Sequence, residues 1–103
     1  MQIAADELLV ELERTDATMQ QVVQSASQGC SHAFERRLDE QLRSLRSMLG
    51  TDGVQAAADV IDAAKHVLAA DDPAVPLLML SLARTTLAAV IHRQATGVRL
   101  RAA

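Results

Sequence analysis

Apolar residues recur along this chain at intervals of three and four, which is the periodicity of an amphipathic α-helix. No segment shows the two-residue alternation of a half-buried strand. The pattern predicts four helices joined by short links, over residues 3–28, 31–49, 52–70 and 73–96. Because short links favour antiparallel neighbours, we expect an all-α, antiparallel up-down four-helix bundle, with residues 1–103 as a single domain. A long two-helix hairpin with a docked helical pair is the alternative architecture.

Capping residues define the predicted helix ends. Ser31 is expected to be the N-cap of the second helix, and Gly50 to end that helix in the left-handed conformation. Asp52 and Gln55 have the spacing of a capping box at the start of the third helix.

The first and last helices raise one question each. Thr15 or Asp16 could restart a second helix, although we favour one continuous helix. Asp72 followed by Pro73 is a strong start signal for the fourth helix. We expect this helix to stop before a glycine and to leave residues 97–103 as a frayed tail.

The fourth segment is apolar on nearly every side. A surface helix normally carries polar residues on the face away from the core, so a helix without them needs a further cover. We expect its surplus surface to meet a second chain, most simply in a symmetric homodimer. The residues expected on this surface are Leu78, Met79, Leu82, Thr86, Ala89 and Val90.

Arg84 is the only charged residue between Pro73 and Ile91. A guanidinium in an apolar helix must be paired or must reach solvent. Asp59 or Asp62 could pair with it within the chain, and a carboxylate of another subunit could equally do so. We therefore include Arg84 among the predicted partner-binding residues.

Composition narrows the classes of partner. The net charge is −3, and the chain has a single phenylalanine, no tyrosine and no tryptophan. A nucleic-acid-binding protein would need a basic stripe or stacking aromatics, so we expect no nucleic-acid partner.

Charge is unevenly distributed along the chain. Five acids lie within residues 1–16, whereas none follows Asp72. The bundle would bring the acidic start of the first helix beside the basic end of the fourth. Asp6, Glu7 and Glu11 are then expected to face His92, Arg93 and Arg99.

Other features concern the compartment. The single cysteine excludes an internal disulfide framework, and the first residues lack the basic region of a secretory signal. Arg84 and two threonines interrupt the longest apolar run, so we expect no membrane span. Nine arginines against one lysine suit a GC-rich genome. These features predict a cytoplasmic bacterial protein.

The residues suited to chemistry form no recognised signature. Cys30, His32, Asp62 and His66 would suit zinc, but they contain no closely spaced ligand pair. Cys30 precedes a helix start that would favour its thiolate, yet no orienting group or oxyanion hole is visible. We therefore expect no metal, no cofactor and no catalytic residue, with a Cys/His metal or redox protein as an alternative.

Two histidines suggest a second alternative. Arg84 and His92 suggest a comparison with HEPN ribonucleases, although their spacing is longer here, and Lys65-His66 faintly resembles the site of a phosphotransfer domain. A toxin–antitoxin-like or phosphotransfer-like regulatory module would use these residues.

The principal hypothesis is a small non-catalytic interaction protein, namely an adaptor, a secretion-type chaperone or a regulator. It would bury an apolar helix face against a partner or itself.

Overall fold

The computed structural model describes residues 4–102, and these form four α-helices without strands. The helices are α1 (Ala5–Gln24), α2 (His32–Met48), α3 (Thr51–Ala69) and α4 (Ala74–Ala102). The predicted all-α, four-helix fold is confirmed. The predicted start of the first helix at residue 3 lies outside the described residues.

The helix α3 packs against all three other helices, and α1 also contacts α2 and α4. Alanines fill much of the buried face of α3, which lets neighbouring helices approach it closely. The core is otherwise built from the larger residues of the four apolar stripes. Its largest fully buried members include Leu8, Met19, Val22, Leu38, Leu45, Val60, Ile61, Val67, Leu80, Leu87 and Ile91.

The helix α1 runs without a break through Thr15 and Asp16, as favoured from the sequence. The Thr15 hydroxyl donates to the carbonyl oxygen of Glu11, 2.9 Å away, so it bonds within the helix instead of capping a new one. The helix ends at Gln24, earlier than the predicted residue 28.

The link after α1 turns sharply and caps α3. Ser27 and Gly29 adopt positive φ angles of 64° and 84°. Their amides donate to the carbonyl oxygens of Val67 (3.0 Å) and Leu68 (2.8 Å), and the Ser27 hydroxyl donates to that of Ala70 (2.7 Å). The last turn of a helix leaves its carbonyls unpaired, so this link supplies partners from elsewhere in the chain.

Two of the predicted caps are present. The Ser31 hydroxyl accepts a hydrogen bond from the Phe34 amide (3.1 Å) and caps α2. A carboxylate oxygen of Asp72 accepts from the Ala74 amide (3.1 Å) at the start of α4. Helix α4 begins at Ala74, one residue after its predicted start at Pro73.

The predicted geometry between α2 and α3 is wrong in two respects. Gly50 is extended, with φ −74° and ψ −179°, and it is the N-cap of α3. The capping box does not form, since no side chain caps α3 and the Gln55 amide donates to Asp59 instead. A side chain of α4 holds this link: Gln94 accepts from the Gly50 amide (3.2 Å) and donates to the Met48 carbonyl (2.7 Å).

Helix α4 does not end before Gly97, as expected from the sequence, but continues to Ala102. One glycine costs a helix about 1 kcal/mol relative to alanine, which flanking contacts can offset. Ala95 is buried, Val98 packs against the core, and an Arg99 guanidinium nitrogen lies 3.7 Å from a carboxylate oxygen of Asp6. With 29 residues, α4 is the longest helix.

Candidate functional site: the outer face of α4

Helix α4 is apolar on two opposite sides. Successive residues of an α-helix are rotated by about 100°, so the buried residues Leu80, Leu87, Ile91 and Ala95 share one side. This side packs on α1 and α3.

The opposite side, which we call the outer face, is exposed. It consists of Val75, Leu78, Met79, Leu82, Thr85, Thr86 and Ala89. The first four are large, and their exposed fractions are 66%, 62%, 58% and 63%. Most large apolar residues exposed in the described part of the chain are therefore concentrated here, as a continuous stripe along the first turns of α4.

A groove of about 630 Å³ runs beside the outer face, between α3 and α4. Its α4 wall is largely apolar, whereas its α3 wall carries two carboxylates and a histidine. The residues lining it are Asp59, Asp62, Ala63 and His66 of α3 with Pro76, Met79, Leu82, Ala83 and Thr86 of α4. The groove widens the apolar surface and gives it one acidic edge.

The structure places most of the predicted partner-binding residues on the outer face. Leu78, Met79, Leu82 and Thr86 are all exposed there, next to Ala89. Val90 does not belong to this set, because it is half-buried and packs against the core.

Arg84 lies on the inward side of α4 and pairs within the chain. Its guanidinium nitrogen is 3.5 Å from a carboxylate oxygen of Asp16 on α1. The expectation that Asp59 or Asp62 would be its intrachain partner is therefore wrong. Arg84 helps to dock α4 onto α1, so it is separate from the exposed stripe.

Sequence reasoning missed Val75. It precedes Leu78 by three residues and Leu82 by seven, so it occupies the same helical face, and it is 66% exposed. The spacing alone could have identified it.

The predicted charge contacts between α1 and α4 are present in part. Asp6 lies near Arg99 as expected. Glu11 instead points towards α2 and is only 7% exposed. Its carboxylate accepts a 2.6 Å hydrogen bond from the Gln41 amide, which also donates to Thr15 (3.1 Å). This polar cluster satisfies a buried carboxylate and fixes the register of α1 against α2.

The proposed metal ligands do not converge. Within residues 4–102, no three or more His, Cys, Asp or Glu side chains form a group able to hold a metal ion. His66 has a local partner, since its Nδ1 lies 2.8 Å from the Asp62 carbonyl oxygen. A hydrogen bond to that carbonyl requires the proton on Nδ1.

The thiol of Cys30 is poorly suited to act as a nucleophile. Burial raises its pKa above the ordinary value of 9.0, and the negative charge of Glu35 adds to this shift. A higher pKa leaves less of the reactive thiolate at neutral pH. This weighs against the redox alternative.

The residues on which the phosphotransfer-like and ribonuclease-like alternatives depend lie apart and have other partners. The Lys65 ammonium donates to Asp39 of α2 at 2.8 Å, and this hydrogen bond raises the pKa of Lys65. His92 is exposed, whereas Arg84 faces α1. The structure does not join these groups into one site.

Helix α4 is long and apolar enough to cross a membrane by length and composition. Residues 74–101 contain an 18-residue window with a mean hydropathy of 1.8, of which 17% of the residues are buried. Arg84 and the threonines therefore do not lower the hydropathy as far as the sequence reasoning assumed. Long core helices of soluble proteins share this length and composition.

Fold and site together define this protein as an all-α four-helix domain with an uncovered apolar helix face. Comparisons with protein-family models, with curated proteins and with solved structures found no match to the chain.

Proposed function

We propose that this protein is a small, non-catalytic interaction protein of the bacterial cytoplasm, such as an adaptor, a secretion-type chaperone or a regulator. It would act by burying the outer face of α4 against a helix of another polypeptide, which is either a different protein or a second copy. The observation that carries this proposal is the stripe of Val75, Leu78, Met79 and Leu82, with exposed fractions of 58 to 66%.

Leaving this stripe in water costs free energy. Complete burial of a leucine, valine or methionine side chain contributes about 1.5–3 kcal/mol. Because each side chain is more than half exposed, covering the stripe would recover roughly 1–2 kcal/mol per residue. Contiguous apolar patches of this kind mark interaction surfaces, whereas single exposed apolar residues are normal.

The shape of the surface favours a helix as its cover. The stripe follows one face of α4, and the α3–α4 groove runs alongside it. A helix laid into such a groove can use anchors at the spacings i, i+3, i+4 and i+7. The carboxylates of Asp59 and Asp62 on the groove edge favour a partner that carries basic residues there.

A protein partner explains the structure better than a bilayer does. A single, unaccompanied membrane-spanning helix exposes apolar residues to lipid on all sides, whereas Leu80, Leu87 and Ile91 of α4 are already fully buried. The Arg84–Asp16 ion pair also attaches α4 to α1. Insertion would have to break these contacts.

Site-specific photo-crosslinking in the producing cells tests the proposal. A photoreactive amino acid at position 82 should give covalent protein adducts, because Leu82 lies in the middle of the stripe. The matched control is position 43 on α2, where Arg43 is also exposed but lies outside the outer face. We expect adducts at 82 and none at 43.

Equal labelling at the two positions, or no protein adduct at position 82, would contradict the proposal. Adducts that consist only of lipid would assign the outer face to a membrane instead. Circular dichroism on both variants would verify that each remains helical.

A further inference from the structure

We infer that the outer face of α4 binds the same face of a second copy of this chain, antiparallel and centred on Leu82. This inference rests on the proposed function and names the partner. Two independent features support it, one of size and one of charge.

The side chains of the outer face are large before Leu82 and small after it. Val75, Leu78 and Met79 precede Leu82, and Thr85, Thr86 and Ala89 follow it at the same distances along the chain. A two-fold axis at Leu82 therefore sets each large residue against a small one. The facing pairs are Val75 with Ala89, Leu78 with Thr86, and Met79 with Thr85.

Large residues facing small ones interdigitate and let two helices approach closely. A parallel pair would instead place Leu78 on Leu78 and Ala89 on Ala89. Such an arrangement separates the helices at one end and leaves a gap at the other. Size therefore selects the antiparallel orientation.

Charge makes the same selection. No acid follows Asp72 in the chain, and Arg93 continues the outer face beyond Ala89. Asp71 lies in the link just before α4, whereas Arg93 lies on α4 beyond Ala89, and both are exposed. The antiparallel pair brings Arg93 of each copy to the end of α4 that Asp71 of the other copy precedes, whereas a parallel pair sets Arg93 against Arg93.

Disulfide trapping tests the orientation. In a Cys30→Ser background, Leu82→Cys should form a covalent dimer under mild oxidation, because the two residues meet at the axis. Thr96→Cys is the matched control, because Thr96 is exposed on the continuation of the outer face and takes no part in the proposed ion pair. In the antiparallel pair its two copies are about 42 Å apart, at about 1.5 Å per residue, so it should stay monomeric under denaturing conditions.

A mixture of Val75→Cys and Ala89→Cys chains should yield the mixed dimer in excess of either self-linked product. Trapping of Thr96→Cys as readily as Leu82→Cys would indicate a parallel pair and overturn the inference. Absence of trapping at position 82 would also overturn it. These substitutions are at exposed positions, and helical content measured by circular dichroism confirms that the variants fold.

A charge exchange tests the ion pair without new cysteines. Arg93→Asp and Asp71→Arg should each weaken self-association, by on the order of tenfold, because two exposed ion pairs are lost in each dimer. The double variant restores opposite charges and should regain most of the affinity in sedimentation equilibrium. Single and double variants that associate equally would contradict the pairing.

The result also separates this inference from the proposed function. If the purified chain sediments as a monomer but crosslinks through position 82 to a different protein in cells, the proposed function stands and the pairing of two copies is contradicted. If it is a monomer and gives no protein adducts, both proposals are contradicted.

Discussion

At the residue scale, the two sides of α4 should respond differently to truncation. Ile91 is completely buried, whereas Leu100 is 72% exposed. Ile91→Ala removes buried methyl groups and leaves a cavity, so it should lower the free energy of unfolding by about 2–5 kcal/mol. Leu100→Ala should change it by less than about 0.5 kcal/mol. Urea unfolding measures both, and equal losses would contradict the assigned burial.

The Lys65–Asp39 ion pair predicts a stability change at high pH. The hydrogen bond to Asp39 raises the pKa of Lys65 above 10.5. A raised lysine pKa stabilises the folded state fully below the unfolded value and loses this effect as the pH rises through the folded pKa. The free energy of unfolding of the wild type should therefore exceed that of Lys65→Gln by at most about 1 kcal/mol at neutral pH. The effect is small because the side chains of Lys65 and Asp39 are both partly exposed.

This difference should disappear well above pH 10.5. Urea unfolding of the two proteins at neutral and strongly alkaline pH measures it. Arg43→Gln is the control, because arginine does not titrate in this range. A difference that persists after lysine has lost its proton would show that packing, and not charge, supplies the stabilisation.

At the element scale, two glycines inside helices should respond with opposite signs to alanine. A Cβ at Gly97 would meet only an Arg101 guanidinium nitrogen at 3.8 Å, so Gly97→Ala should raise the free energy of unfolding by about 0.5–1 kcal/mol. A Cβ at Gly53 would lie 2.8 Å from the Cβ of Leu49, so Gly53→Ala should lower it by about 1–3 kcal/mol.

Denaturant midpoints at an unchanged m-value measure both effects. The Gly97 result also tests the path of α4. A helix that stopped at a left-handed Gly97 would be destabilised by alanine, so a loss of stability there would contradict the continuous helix.

The helices were predictable because each carries a strong local period, and local caps such as Ser31 and Asp72 were predictable for the same reason. The errors arose where distant residues determine a local conformation. Gln94 of α4 holds the extended Gly50, and Val98, which follows Gly97, packs against the core. Neither contact can be read from the sequence near the link or the helix end.

The candidate site was predictable in the same uneven way. The excess of apolar residues in α4 identified Leu78, Met79 and Leu82 without a structure. The pairing of Arg84 required the rotation of α4 against α1, which decides whether Asp16 or Asp59 comes within reach. Residue types fix how apolar a helix is, whereas packing fixes which side faces the core.

At the scale of the whole molecule, the length of α4 makes the uncovered face unavoidable. A 29-residue helix is about 43 Å long, in a molecule whose longest extent is 49 Å. The other helices have 17 to 20 residues, and α2 packs on α1 and α3. Two short neighbours can cover only one side of α4.

The inferred pairing of two copies through this face would make thermal stability depend on protein concentration. Unfolding of a dimer releases two chains, so mass action raises the midpoint of thermal unfolding as the concentration increases. Differential scanning calorimetry over a hundredfold range of concentration should show this rise for wild type. Leu82→Ser should abolish the rise and leave the midpoint close to that of dilute wild type, because the substituted side chain is exposed in the single chain. Val10→Ser, which alters an exposed apolar residue of α1, should preserve it. A wild-type midpoint that stays constant over this range would mean that two copies do not pair, whereas a rise that survives in Leu82→Ser would place the contact on another surface.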